Sequence, residues 1–196
     1  MKWHLILLAL FFGACDTREA SSNLLVRNGD PIPSSFKNVV NLSYPDGRTC
    51  VATAKDPYHL VTSTSCIGNG VGWQLLNSQT HVVLSAVKSV SAVGDVATIL
   101  MTKPIVAPWY VSFYKGSMVR EGLAVGFGTS GERATGRIWF QENRDGYMIW
   151  TAGPKNQIAC EGDWGSPVFA GGRLLGILSV VENCATATET RYTKVF

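Results

Sequence analysis

The chain has 196 residues, 46% hydrophobic and 16% charged, enough to bury a substantial core as one domain or two tightly packed halves. A net charge of +3 without any run of Lys or Arg excludes a nucleic-acid stripe, so no nucleic-acid partner is expected. No apolar segment has the length of a membrane span.

The chain opens on a targeting segment. Lys2 supplies a positive charge, Leu5 to Phe12 (LILLALFF) an apolar stretch, and Gly13-Ala14 small residues just before Cys15. This stretch is too short to cross about 30 Å of hydrocarbon and reads as a leader, residues 1–14. FFGAC resembles the lipobox of bacterial lipoproteins, in which the Cys is acylated and becomes the first mature residue; Phe12 stands where Leu is usual. The resemblance implies a lipid anchor at Cys15 in the bacterial cell envelope, against the alternative of an ordinary cleaved signal peptide. Asp16 resembles an inner-membrane retention signal, and residues 15–25 form the lipidated Cys and a polar tether.

Beyond the tether the sequence predicts strands and almost no helix. VVNLSY, HLVTSTS, HVVLSAVKSV, VATILM, GLAVGF, RIWFQ, YMIWTA, RLLGILSVV and RYTKVF follow one another, rich in β-branched and aromatic residues. Turn formers separate them, among them Pro45-Asp46-Gly47, Asp145-Gly146 and Gly171-Gly172, and ENRDG reads as a hairpin loop. Many short strands at regular spacing indicate an all-β sandwich or barrels.

Export changes the reading of the cysteines. With Cys15 set aside, Cys50, Cys66, Cys160 and Cys184 remain, and an even number in an oxidising compartment favours two disulfides, with three connectivities open. No CxxC or His-rich spacing points to zinc, and no metal or cofactor is expected.

From about Val26 to Phe196 the chain resembles the trypsin-like (chymotrypsin-fold) serine proteases through several ordered motifs. VRNG with PSSFKNVVNLSY is similar to the mature start and first strand, and Cys66 ends the segment that resembles the histidine motif. GDVATILM is similar to the segment of the triad aspartate, GFG at 126–128 to the Gly-Trp-Gly region, and CEGDWGSPVF to the nucleophile loop. GILSVVENCA and RYTKVF resemble the substrate-binding strand and final segment. The resemblance implies two antiparallel Greek-key β-barrels, residues 26–110 and 111–196, a site in the cleft between them, and the disulfides Cys50–Cys66 and Cys160–Cys184.

That chemistry needs a serine to attack, a histidine to take its proton and an aspartate to orient the histidine. Ser65 stands where the resemblance places the histidine, and a hydroxyl is no base near pH 7. Trp164 stands where it places the serine, and an indole offers a donor but no attacking atom. His59 and His81 match no catalytic position and read as surface or packing residues. Ser166 is the substitute nucleophile of the alternative reading, an active endopeptidase with small apolar specificity, but it falls two residues past the slot.

Asp95 matches the triad aspartate, and as a buried carboxylate it is expected to find partners in Ser179, Ser65 and backbone amides. Asp163 in the oxyanion loop, beside Gly162, matches the residue that pairs with a new N-terminus, here Val26. Leu25 precedes it instead of a basic residue, so an unset, zymogen-like loop is expected. Ile158 stands at the base of the implied pocket, and Ser179, Val180 and Val181 along its wall, where added methyl groups narrow the mouth. Trp109, Trp139 and Trp150 read as core rather than as a binding surface. The sequence therefore points to an exported trypsin-like homologue with a degenerate site, which binds a protein partner in the envelope as adaptor, regulator or decoy.

Overall fold

The computed structural model describes residues 26, 28–31, 36–43, 48–67, 74–76, 83–127 and 133–196. The leader, Cys15 and His81 lie outside them. Six strands close a first barrel: β2 (Val39–Ser43), β3 (Thr49–Ala54), β4 (His59–Ser63), β5 (Gln74–Leu76), β6 (Val83–Val93) and β7 (Val96–Met101), in the order β2-β3-β4-β7-β6-β5. In β7 the alternation fixes the faces, with Ala97, Ile99 and Met101 buried and Val96, Thr98 and Leu100 half-buried.

The second half is built from β8 (Glu121–Gly126), β9 (Ala134–Arg144), β10 (Tyr147–Ala152), β11 (Pro167–Ala170), β12 (Arg173–Val180) and β13 (Glu189–Lys194). They run β9-β10-β13-β12-β11-β8, and β8 pairs back onto β9. Every named strand pair is antiparallel. A short β1 (Asp30–Pro31) joins the edge of β9, so this piece of the segment assigned to the first barrel pairs with the second.

Some elements depart from the sequence reading for local reasons. The run HLVTSTS stops being a strand at Ser63, and Thr64–Ile67 form α1, a single helical turn that carries Ser65. β3 lacks alternation because it is buried on both faces, and β11 begins at a proline, so neither gave a strand signal. The hairpin after RIWFQ keeps its strand through Arg144 and turns on Asp145 and Gly146 alone, at φ 53° and 83°, the two positive values that a type I′ turn requires.

Disulfides join Cys50 to Cys66 and Cys160 to Cys184, the pairing the resemblance implied. Between the barrels Phe36, Trp109 and Phe169 interlock at ring centroid separations of 5.5 to 6.4 Å. Val39, Val51 and Val61 of the first barrel meet Val125, Leu174 and Ile177 of the second across the same seam.

Candidate functional site

The seam brings α1, the β6–β7 turn, the loop from Cys160 to Ser166, and β12 to one place. Val51 in β3 donates its N–H to the Trp164 carbonyl at 2.7 Å, and Gly165 donates to the Leu178 carbonyl at 3.1 Å. Gly165 takes φ +80°, and a Cβ there would run into the Val51 carbonyl and the Thr62 hydroxyl, so only glycine lets the loop approach the first barrel this closely.

Inside the loop Asp163 is fully buried. Its Oδ1 accepts the Phe127 N–H at 3.0 Å and its Oδ2 accepts the Cys160 N–H at 3.2 Å, which supplies the donors a buried carboxylate needs. A Cβ on Gly126 would overlap this carboxylate. Val26 is fully buried too, against Gly136. Two backbone amides, those of Phe127 and Cys160, thus hold the Asp163 carboxylate inside the loop. Among the described residues the N–H groups of Gly162, at φ +95°, and Trp164 donate to nothing.

The three positions of the degenerate triad do not assemble a relay. Ser65 is exposed, and its Oγ lies 2.8 Å from the Ser63 Oγ, which also accepts the Ser65 N–H at 3.3 Å. Asp95 receives the Thr193 hydroxyl at 3.4 Å, and Thr193 lies 2.7 Å from the Ser179 Oγ. The expected direct bonds from Ser179 and Ser65 to Asp95 are therefore replaced: Ser179 reaches the carboxylate through Thr193, and Ser65 turns to Ser63. The register shift in the β12–β13 pairing between Leu178 and Val180 falls at Ser179 and brings Thr193 beside it. The Tyr147 hydroxyl also faces Asp95, whose hydrogen bonding holds the phenol above its ordinary pKa. Thr64 donates its N–H to the Asp95 carbonyl at 2.9 Å, which ties the turn to α1.

Among the described residues no base stands near. His59 is the one histidine among the described residues, and its Nδ1 lies 2.8 Å from the Asp56 Oδ1. It opens β4, whereas Ser65 follows that strand's far end. Ser166, the substitute nucleophile, is fully buried, and its Oγ meets no hydrogen-bond partner among the described residues. A hydroxyl without solvent access or an acceptor for its proton attacks nothing. Trp164 is 37% exposed and stands at the surface of the seam.

The residues matched to the implied substrate pocket pack into the second barrel. Ile158 is fully buried and packs with Cys160 and Ala187. Val181 packs on the core of the second barrel, where Tyr192 is wholly enclosed, and Thr190 is 1% exposed. Burial, and then the Asp163 carboxylate, push the Tyr192 phenol far above its ordinary pKa, so it stays neutral. Val180 is half-buried opposite Arg191. Trp150 is core, edge-on to Phe140 at 5.5 Å and Tyr192 at 6.4 Å; Trp109 is in the aromatic seam; Trp139 is half-buried on β9. Sequence reasoning missed Thr190, Thr193, Tyr147 and Ser63. Their one signal was alternation in β13, which places Thr190 and Tyr192 on the same, inward face.

Comparison with known proteins agrees with this architecture. The Trypsin family matches residues 128–196. No curated protein matches the sequence. Among solved structures, the scabies mite inactivated protease paralogue S-D1 is similar at 14% identity and TM-score 0.74, with 87% of this chain and 92% of that chain covered. Human heparin binding protein is similar at 13% identity and TM-score 0.71, covering 87% and 92%. A second scabies mite inactivated paralogue, S-I1, is similar at 12% identity and TM-score 0.71, covering 85% and 93%.

Proposed function

From the trypsin-like serine protease fold that this chain has, we propose that it is a protease homologue that no longer cleaves and acts instead by binding a protein. The observation that carries this reading is the state of the two serines. Ser65 sits at the surface hydrogen-bonded to another serine, Ser166 is sealed in the core, and neither has a base beside it among the described residues. Loss of a single triad member in such enzymes costs on the order of 10⁴ to 10⁶ in rate. Here Ser65 and Trp164 stand at the positions matched to the base and the nucleophile.

The fold around the dead site is nonetheless maintained. Both disulfides, the buried Asp163 and the tight glycines hold a half-exposed Trp164 at the seam, and tryptophan anchored in a rigid frame is a typical interface hot spot. An inhibitor decoy needs an open cleft, and Trp164 at the seam with Val181 packed on the second barrel favours an adaptor or regulator that uses the surface loops. The leader and Cys15 support an exported, lipid-anchored location in a bacterial envelope. The test pairs the mature domain with Trp164→Ala. Unfolded casein stays intact with both, and an envelope protein held by the wild type is lost from a folded Trp164→Ala variant. Cleavage of casein, or equal capture by both, would overturn the reading.

A further inference from the structure

A second surface lies at the other end of the seam. Val51 at the start of β3 touches Trp164, whereas Lys55 follows the last residue of that strand, roughly 13 Å along at strand rise. The register Val39 with Thr53, continued by the bond from the Ala54 N–H to the Asn38 carbonyl at 2.7 Å, sets Lys37 opposite Lys55. Directly opposed residues of an antiparallel pair lie about 5 Å apart, so two like charges are held together with no ladder partner of opposite sign between them.

The strip continues across the barrels. The Lys55 Nζ lies 5.6 Å from the Phe113 ring centroid. Phe113 bridges to Leu174, whose N–H donates to the Ser112 carbonyl at 2.9 Å and whose carbonyl accepts the Tyr114 N–H at 2.8 Å. In this parallel bridge Arg173 falls beside Ser112 on one side of Phe113 and Lys115 two residues beyond it on the other, so the two cations flank the ring that Lys55 covers. All four cations are exposed, and none meets a carboxylate among the described residues. The acid nearest in sequence, Asp56, is occupied by His59 and by the N–H groups of Tyr58 and His59.

Four unpaired cations in a row raise the self-energy of the fold and are relieved by a row of anions. We propose that the strip Lys37, Lys55, Lys115 and Arg173 docks a linear anionic polysaccharide. No helix stands here to enter a duplex groove, and the Phe113 ring is already covered by Lys55, which leaves no open platform for a base. Three of the four are lysines, which meet sulfate or carboxylate groups as point charges and read charge spacing rather than planar geometry. Tyr58, 46% exposed in the turn that follows Lys55, offers a ring to a sugar face.

The probe is dextran sulfate, titrated by calorimetry over a salt series against the mature domain. One variant changes Lys37, Lys55, Lys115 and Arg173 to Gln; a control of equal net charge changes the exposed Lys88, Lys103, Arg120 and Lys194 to Gln. The patch variant is expected to lose roughly tenfold or more in affinity and to show a flatter dependence on salt, while the control stays near the wild type. Equal losses in the two variants, or no binding by the wild type, would overturn the proposal. So would binding to phosphatidylglycerol vesicles or duplex DNA that is tighter than to dextran sulfate and that the patch variant abolishes.

Discussion

The backbone N–H of Val51 is hydrogen-bonded to the carbonyl of Trp164 at 2.7 Å, so Trp164 is held by the first barrel while its loop belongs to the second. The two halves are thus stapled at this loop. Gly165 makes that staple possible, and Gly165→Ala puts a methyl group against the Val51 carbonyl at a φ of +80°. A loss of roughly 2 to 4 kcal/mol in unfolding free energy is expected by urea denaturation, from clash and backbone strain together.

Restoring the two missing side chains is not expected to restore chemistry. In a Ser65→His, Trp164→Ser double variant the Asp95 carboxylate is still engaged by Thr193 and Tyr147, and not free to orient a new histidine. Peptide ester hydrolysis by this variant is expected at background rate. Turnover at rates ordinary for serine proteases would show that the aspartate is available.

Much of this was legible in the sequence, and what was not has a physical cause. Strand alternation led to an all-β sandwich or barrels and the even cysteine count to two disulfides, while the two barrels and the pairing of Cys50 with Cys66 and Cys160 with Cys184 came from the resemblance carried by the ordered motifs. The partners of Asp95 were out of reach, because Thr193 lies 98 residues away and the choice between Ser179 and Thr193 depends on a one-residue register shift. Thr190 was missed because alternation assigns a face but not what that face encloses. The donors that hold Asp163 were missed because they are backbone N–H groups of Phe127 and Cys160, which every residue but proline carries.

Glu189 gives the fold a measurable acid response. Both of its carboxylate oxygens lie 2.6 Å from the Arg144 Nη2, and this bond, with the Arg191 guanidinium at 3.3 Å, holds its pKa below the ordinary 4.5. A depressed carboxylate contributes stability that is fully present above its ordinary value and is lost as pH falls through the folded one. The drop in Tm between about pH 7 and about pH 3 is therefore expected to be smaller in Glu189→Gln than in the wild type. The pair is partly exposed, so the difference is small and shrinks with salt. An equal drop in both proteins would assign the acid response to other groups.

The disulfide between Cys160 and Cys184 spans 24 residues and braces the loop that carries Asp163 and Trp164. Replacing both cysteines by alanine is expected to cost about 3 kcal/mol through restored freedom of the unfolded chain. Hydrogen exchange of the Gly165 and Ser166 amides, bonded to the Leu178 and Asp163 carbonyls, should rise more than that of β7 in the other barrel, and uniform acceleration would contradict a local bracing role.

The claim on which the account rests is that no serine of this domain attacks a carbonyl or a phosphonate. The most direct measurement is the intact mass of the folded, disulfide-bonded mature domain after exposure to a fluorophosphonate serine probe, beside Ser65→Ala and Ser166→Ala variants. The account expects no mass increase in any of the three. A stoichiometric increase in the wild type that disappears in one variant would contradict it and identify the working nucleophile.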